Sequence, residues 1–197
     1  LIYITCAIIV AKANLNIKGA VYYHSDAHMT PNNFMHEMIV FLKSRGVSIL
    51  KNEEVIDVEI NCESISKVIT NTQNLKCDEV VLTAASWSPK ISKKLGLKLL
   101  IQAGKGYSIN VKQNTKITIP AILCEAKVAV TPMDGFTRFA GTMELTDINH
   151  NINPVRVNAI AEASASYYNQ LHITSEEKAQ VKCGLRPCTP DGLPYIG

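Results

Sequence analysis

Apolar residues recur at helical spacing in two stretches of the chain. The first stretch begins at Thr30 and Pro31, a helix N-cap residue followed by a proline at the first helical position, and it ends before Gly46. This spacing predicts an amphipathic helix of about four turns. Its apolar face is formed by Phe34, Met38, Phe41 and Leu42.

A second long helix is predicted after Asn153 and Pro154, which again provide a cap and a first-turn proline. The apolar positions that follow share one helical face, and we expect them to be buried. These positions are Ile160, Ala163, Tyr167 and Leu171.

Runs rich in apolar and β-branched residues predict strands in the first half of the chain. The run from Glu79 to Ala84 is typical of a strand buried on both faces of a parallel sheet. It ends in small residues, where a ligand can approach the backbone, and Trp87 then begins a short helix closed by Gly96. Further strands are predicted at Leu1 to Ala11, Gly19 to His24, Val47 to Leu50, and as a hairpin at Glu54 to Ile60 and Ile65 to Thr70.

From residue 97 onwards the β-rich runs become longer. They cover Leu97 to Val111 and Ala121 to Thr142, with Pro132 to Gly135 as a hairpin turn inside the second run. A last strand is predicted at Ala179 to Leu185. This order of elements predicts an α/β fold of mixed α+β character, in which an antiparallel sheet forms a separate domain from residue 97.

Composition narrows the function classes. The chain of 197 residues is 47% hydrophobic and 19% charged, which suits one or two globular domains. Its net charge of +3 is small and dispersed, and no basic run alternates with aromatics, so we expect no nucleic-acid partner. The six cysteines include no C-x-x-C, which indicates reduced thiols and a cytoplasmic location.

Two kinds of catalytic site are disfavoured by the sequence. His24, Asp26 and His28 alternate as metal ligands on a strand would, but a helix begins directly afterwards. We therefore predict no metal site. A serine or cysteine nucleophile is also unsupported, because no G-x-S-x-G motif occurs and no cysteine has a neighbouring histidine.

The final segment from Cys183 to Gly197 combines rigidity with one permanent charge. Three prolines and three glycines predict a rigid loop, and Arg186 precedes one of the prolines. A residue before proline favours extended backbone, so we expect Arg186 at the end of a short strand. Its guanidinium can bind a carboxylate through two parallel hydrogen bonds, and the alternative is a solvated arginine in a surface turn.

This segment, G-L-R-P-x-T-P-D-G-L-P-x-I-G at residues 184–197, resembles a signature of the FAD-dependent amino-acid oxidoreductases. The family includes the small subunit of D-amino-acid dehydrogenase, glycine and sarcosine oxidases and D-amino-acid oxidase. The resemblance implies that Arg186 binds the substrate carboxylate. Asp26 and His28 also match a D-A-H-x-x-P stretch of the dehydrogenase branch.

Other stretches are similar to the same family. Val55 matches a valine whose backbone contacts the adenine, and Ala84, Ala85 and Trp87 match an A-x-G-x-W-S turn near the pyrophosphate, with Ala85 in place of the glycine. These four residues are the implied cofactor site. The stretch 105–109 is similar to R-G-Y-S-I with lysine in place of the arginine, and Tyr107 within it is a candidate substrate contact.

The resemblance also implies a domain organisation. Residues 1–30 would lead into the substrate domain, residues 31–96 would belong to the FAD-binding domain, residues 97–182 would form the antiparallel substrate-binding domain, and residues 183–197 would return to the FAD-binding domain. No G-x-G-x-x-G motif is present, so the chain corresponds to the central part of the family's sequence.

For the full-length parent, the implied function is FAD-dependent oxidative deamination of a small amino acid, of D configuration. A hydride would pass from Cα to the flavin, and no dedicated catalytic residue is assigned. Glycine or sarcosine oxidation is the alternative within the class, and a truncated, non-catalytic binding or structural remnant is the alternative from another class. A peripheral partner at the inner membrane or in electron transport is left open.

Overall fold

The computed structural model of the chain describes residues 13–62 and 64–196. The strand predicted at Leu1 to Ala11 therefore lies outside the described residues. No helix among the described residues is long and apolar enough to cross a membrane.

Helices and antiparallel sheets alternate along the described chain, which confirms the predicted mixed fold class. The helices are α1 (Pro31–Ser44), α2 (Ser88–Ser92), α3 (Pro154–Tyr167) and α4 (Ser175–Ala179). The strands are β1 (Val55–Asn61), β2 (Ser64–Thr70), β3 (Asn74–Lys76), β4 (Gln102–Val111), β5 (Ala121–Leu123), β6 (Val128–Met133), β7 (Phe136–Thr146) and β8 (Lys182–Cys188).

The chain divides into two compact units. The described part of the first unit consists of residues 13–37, Lys105–Glu144 and His150–Gly184. The described part of the second consists of Met38–Gly104, Leu145–Asn149 and residues 185–196.

The first unit contains most of a five-stranded sheet with the strand order β5-β6-β7-β4-β8. Strands β5, β6 and β7 pair antiparallel, and the predicted hairpin turn between β6 and β7 is confirmed, with Gly135 at a φ of 79°. One face of the sheet and α3 share a single hydrophobic core. Its most buried members are Tyr107, Ile109, Val111, Val128, Val130, Phe139 and Ile160.

Helix α3 begins as predicted, because the Asn153 side chain accepts a hydrogen bond from the backbone N–H of Val155. Ile160 on its buried face is 1% exposed. Gly141 on β7 makes this close packing feasible, since a Cβ there would lie 3.1 Å from Val128 Cγ2 and 3.3 Å from Ile160 Cγ1. The close approach of the sheet and α3 therefore depends on the absence of a side chain at Gly141.

The second unit contains a three-stranded sheet with the order β1-β2-β3. Strands β1 and β2 form the predicted antiparallel hairpin, and β2 pairs antiparallel with β3. The predicted short helix is confirmed as α2, flanked by 3₁₀ turns at Ala85–Trp87 and Lys93–Leu95. Gly96 ends it at a φ of 72°, the left-handed conformation that glycine adopts without strain.

Three predicted strands are wrong. Glu79 to Ala84 is irregular rather than a buried strand, and Val81 is 82% exposed. Gly19 to His24 and Val47 to Leu50 are also irregular. An extended segment forms a strand only when a neighbouring strand satisfies its backbone groups, and none of these three segments has such a neighbour among the described residues.

The ends of α1 agree closely with the prediction, and its apolar face is largely exposed. None of its residues is buried, and Phe34 and Phe41 on the predicted apolar face are 46% and 51% exposed. The helical periodicity correctly identified the element, because periodicity is a local property. Burial depends on what packs against that face, which in the described chain is only partly covered, at Met38 and Leu42.

Candidate functional site

A cluster of charged and hydroxyl side chains surrounds the Glu144 carboxylate in the first unit. The Tyr107 hydroxyl donates to Glu144 Oε1 at 2.6 Å, and Lys105 Nζ lies 3.2 Å from the same oxygen. Arg156 Nε donates to Glu144 Oε2 at 2.7 Å. Lys105 Nζ also donates to the backbone oxygen of Asn151 at 2.9 Å. We call these five residues the Glu144 cluster.

The local sequence explains how the cluster is assembled. Lys105 and Tyr107 are two residues apart on β4, so both side chains point to the buried face of the sheet. Arg156 lies in the first turn of α3, and Glu144 lies near the end of β7, the neighbour of β4. Two strands and a helix start therefore converge on one carboxylate.

The electrostatics of the cluster keep Glu144 and Lys105 charged. The hydrogen bond from Tyr107, together with Lys105 and Arg156, lowers the pKa of Glu144 below its ordinary value. Burial alone would lower the pKa of Lys105, but its bond to Glu144 and the nearby negative charge raise that pKa overall. Burial, followed by the bond to Glu144, raises the pKa of Tyr107, which therefore stays protonated.

The predicted substrate contact Tyr107 is a member of this cluster. Its side chain is 2% exposed and its hydroxyl proton is already donated to Glu144. The Lys105 ammonium and the backbone N–H of Asn153 also hydrogen-bond to this hydroxyl, so its hydrogen-bonding groups are engaged within the first unit. Substrate binding by Tyr107 stays a prediction.

Arg186 lies on β8 in the second unit, in the extended conformation expected before a proline. Its side chain is exposed, and within the described residues it forms no ion pair with a carboxylate. The guanidinium is therefore available to an external anion.

The loop after Arg186 is held by its own hydrogen bonds. Thr189 Oγ1 donates to the backbone oxygen of Leu193 at 2.8 Å, and the N–H of Leu193 donates to Asp191 Oδ1 at 3.0 Å. That N–H is the main reason why the pKa of Asp191 is lowered. The hydroxyl of Tyr195 accepts from the N–H of Leu100 at 3.2 Å, which fixes the end of the loop. The predicted rigidity thus has a structural basis.

The four predicted cofactor residues also lie in the second unit. Val55 is the first residue of β1, and Ala84, Ala85 and Trp87 form the turn that leads into α2. Lys90 Nζ lies 2.7 Å from Glu54 Oε1, and this ion pair joins the middle of α2 to the residue before β1. Cofactor binding by these residues stays a prediction.

The turn at Ala85 has two features that suit the phosphate of a flavin nucleotide. Ala85 has a φ of 48°, the left-handed conformation that turns a backbone toward a ligand and that normally favours glycine. Ser86 beside it is 3% exposed, and its buried hydroxyl has no hydrogen-bond partner within the described chain. The residues present therefore fit such a group.

Glu144 and Arg156 were missed by the sequence reasoning. One signal was available, because a lysine on an otherwise buried strand face needs an anionic partner. The sequence could not tell which acid supplies it, since Glu144 is 39 positions away from Lys105. His24, Asp26 and His28 are all exposed, and the described residues contain no group of three His, Cys, Asp or Glu side chains that could hold a metal.

Comparison with known proteins identifies the family to which this fold belongs. The model of the family described as FAD dependent oxidoreductase matches residues 6–197. Because this match covers almost the whole sequence, the chain belongs to that family.

Curated relatives in this family are named D-amino acid dehydrogenase. That of Helicobacter pylori is 30% identical over 186 residues, which cover 93% of this chain and 44% of the relative. That of Dechloromonas aromatica strain RCB is 28% identical over 187 residues, covering 91% and 44%. The chain thus spans less than half the length of these relatives.

Solved structures show the same fold at low identity. L-proline dehydrogenase from P. horikoshii has a TM-score of 0.84 at 19% identity, over 98% of this chain and 53% of that one. Glycine oxidase from Geobacillus kaustophilus has a TM-score of 0.67 at 19% identity, over 79% and 41%. Glycerol-3-phosphate dehydrogenase from Bacillus halodurans, complexed with FAD, has a TM-score of 0.71 at 16% identity, over 84% and 36%.

Proposed function

We propose that the full-length protein is a flavoenzyme that oxidatively deaminates a small D-amino acid, as the names of its curated relatives suggest. The observation that carries the proposal is the setting of Arg186. It is exposed at the end of a strand, followed by an internally hydrogen-bonded loop, and without a carboxylate partner among the described residues.

Arg186 would hold the carboxylate of the amino acid. Its planar guanidinium presents parallel N–H groups that match the two oxygens of a carboxylate, which fixes orientation as well as position. The backbone fixes the position of Arg186, and Arg186 in turn fixes the carboxylate. The direction of the Cα hydrogen of the bound substrate is thereby fixed as well. Orientation of this kind lowers the barrier because the reacting atoms are already aligned.

We assign FAD binding to the second unit and substrate-domain character to the first, in line with the domain boundaries expected near residues 97 and 183. Val55 and the Ala84–Trp87 turn would hold the cofactor through backbone groups. FAD supplies an acceptor for the hydride that leaves Cα. The lone pair of a neutral substrate amine then forms the imine, so this chain needs no dedicated base.

Tyr107 stays in the proposal as a candidate substrate contact, argued within the first unit alone. Its hydroxyl already hydrogen-bonds with Glu144, Lys105 and the backbone N–H of Asn153, so a substrate would have to replace one of these partners. Glu144 then fixes the direction of the hydroxyl, and Lys105 and Arg156 keep Glu144 ionised.

Oxidation of glycine or sarcosine is the second candidate, and the similarity in fold to glycine oxidase supports it. A single experiment separates the candidates. The purified full-length protein is mixed anaerobically with D-alanine, L-alanine, glycine or sarcosine, and flavin absorbance is followed. We expect D-alanine to bleach the flavin fastest. Faster bleaching by glycine or sarcosine selects the second candidate, and a protein without bound flavin points to a non-catalytic remnant.

The route by which electrons leave is part of the same proposal. The name dehydrogenase in the curated relatives favours a peripheral membrane or electron-transport acceptor over oxygen. Reoxidation of the bleached enzyme by a soluble quinone in anaerobic buffer, faster than by air-saturated buffer, is the expected result.

A further inference from the structure

A cavity of about 250 Å³ lies in the first unit, next to the residue that caps the end of α3. Three stretches of the chain line it: residues 13 and 14, the loop after β4, and the segment directly after α3. None of its lining residues belongs to the Glu144 cluster or to the residues assigned to substrate and cofactor. A cavity of this size suits a ligand smaller than a typical drug molecule.

Hydrogen bonds hold the walls of this cavity in place. The backbone N–H of Asn169 donates to the backbone oxygen of Asn14 at 3.1 Å, which ties the segment after α3 to the first described residues. Thr115 Oγ1 and Thr137 Oγ1 share a hydrogen bond at 2.7 Å, which ties the loop after β4 to β7. Because the walls are fixed in advance, a ligand loses little affinity to rearrangement of the protein.

The side chain of Tyr168 forms a buried wall of the cavity. It is 4% exposed, and its ring packs edge-on against Phe139 with the ring centres 6.0 Å apart. Burial alone accounts for its raised pKa, and no residue of the described chain hydrogen-bonds to its hydroxyl. A buried hydroxyl without a partner is costly, and an acceptor atom placed in the cavity removes that cost.

The rim of the cavity is rich in exposed carboxamides. They belong to Asn14, Gln113, Asn114 and Gln170. The carboxamides of Gln113 and Gln170 form no hydrogen bond within the described chain, so their donors and acceptors are both available to a ligand. Ile117 and Leu171 add apolar surface to the wall.

The chemistry of the lining favours an uncharged ligand. No side chain of Asp, Glu, His, Lys or Arg lines the cavity. An ion bound there would lose hydration without gaining a counter-charge. An amide matches the lining better, because a carboxamide both donates and accepts hydrogen bonds, as the rim does.

We propose that this cavity binds a small uncharged compound that carries a primary carboxamide on an apolar ring. The Tyr168 hydroxyl donates to the amide oxygen of the ligand. The amide N–H groups donate to the side-chain oxygens of Gln113 and Gln170. The ring packs against Ile117 and Leu171. This site goes beyond the proposed function, since none of the residues assigned to substrate or cofactor lines the cavity.

The test uses the full-length holoprotein and benzamide, an uncharged ring with a primary carboxamide, titrated by calorimetry. Tyr168→Phe removes only the buried hydroxyl. Tyr167→Phe is the matched control, because that hydroxyl donates to Glu125 at 3.1 Å and does not line the cavity. Gln170→Leu tests the rim without altering the core, and Arg186→Ala tests whether benzamide occupies the proposed substrate site instead. The melting temperature of each variant is recorded alongside.

We expect Tyr168→Phe to weaken benzamide binding at least about fivefold, because the amide oxygen is left without its donor. Gln170→Leu should weaken it about two- to tenfold, the usual consequence of losing one hydrogen bond. Tyr167→Phe and Arg186→Ala should leave the affinity unchanged. The proposal is overturned if benzamide does not bind, as when the cavity holds only water. It is also overturned if Tyr168→Phe and Gln170→Leu bind benzamide as tightly as Tyr167→Phe does, or if Arg186→Ala abolishes binding.

Discussion

The two units differ in how they use their hydrophobic residues. Among the described residues, the large side chains that are fully or nearly fully buried, such as Ile109, Val130 and Phe139, belong to the first unit. The single buried hydrophobic residue of the second unit in the described chain is Ala103, whereas Val81, Leu97 and Leu193 are more than half exposed. Burial of apolar surface is the main stabilising term in folding, so the first unit carries most of the stability.

The largest expected difference between the units comes from truncating one phenylalanine in each. Phe139→Ala removes a fully buried ring from the first unit and should lower the free energy of unfolding by about 3 to 5 kcal/mol. Phe41→Ala, at a position 51% exposed, should change it by less than about 0.5 kcal/mol. Urea unfolding of both variants measures the contrast. Equal losses would mean that the apolar face of α1 is covered in solution.

The second prediction concerns alkaline pH. Burial raises the pKa of Tyr168 to about 12, so the folded protein holds this proton more tightly than the unfolded chain, whose pKa is near 10. The stabilisation is complete below pH 10 and disappears as the pH rises to 12, a loss of about 2 to 3 kcal/mol.

Tyr168→Phe should remove that part of the pH dependence. Unfolding free energies measured between pH 9 and 12 would show a shallower fall than in the unmodified protein. Tyr23→Phe, at a position 67% exposed, is the control for loss of a tyrosine hydroxyl and should leave the free energy of unfolding at pH 9 nearly unchanged. If the Tyr168→Phe protein keeps the original slope, the loss of stability at alkaline pH does not come from Tyr168.

Adding a methyl group to a strand glycine gives a smaller effect. In Gly141→Ala, the new Cβ would lie 3.1 Å from both the Lys127 backbone oxygen and Val128 Cγ2, so we expect a loss of about 1 to 3 kcal/mol. Gly184→Ala is the matched control, because nothing lies within 4 Å of its Cβ position. A melting temperature that falls only for Gly141→Ala supports tight packing of β7 on α3.

The smallest expected effect is a gain in stability, and it concerns the second unit. Ala85 adopts a φ of 48°, which costs a residue with a Cβ about 1 to 2 kcal/mol relative to glycine. Because glycine loses more entropy on folding, Ala85→Gly should raise the free energy of unfolding by no more than about 1 kcal/mol. Ala84→Gly lacks the positive φ and should be destabilising. A loss of stability in both variants would contradict the assigned backbone conformation.

The accuracy of the sequence-based predictions also differs between elements. The start of α3 at Asn153 and the turn before Gly135 were correct because capping and turn chemistry act within a few residues. The strand expected at Glu79 to Ala84 was wrong because a strand needs a partner, which composition does not reveal. The first unit, with its own core, agreed with its sequence pattern more closely than the second.

The candidate sites show the same limit of local reasoning. The extended backbone at Arg186 followed from the proline after it, and its rigid loop followed from glycine and proline content. The Glu144 cluster could not be found in this way, since it joins β4, β7 and the start of α3. Pairings between residues far apart in sequence depend on strand register, which the chain specifies only as a whole.

The most direct test of the proposed function is the steady-state kinetics of Arg186 variants of the full-length flavoprotein with a D-amino acid. Arg186→Ala should raise KM by roughly 30-fold or more, because it removes the partner of a partly desolvated carboxylate. Arg186→Lys should recover only part of the loss, since an ammonium lacks the bidentate geometry. Flavin content should stay at the wild-type level in both. An Arg186→Ala protein that loses flavin or unfolds while its remaining activity keeps the wild-type KM would contradict the account.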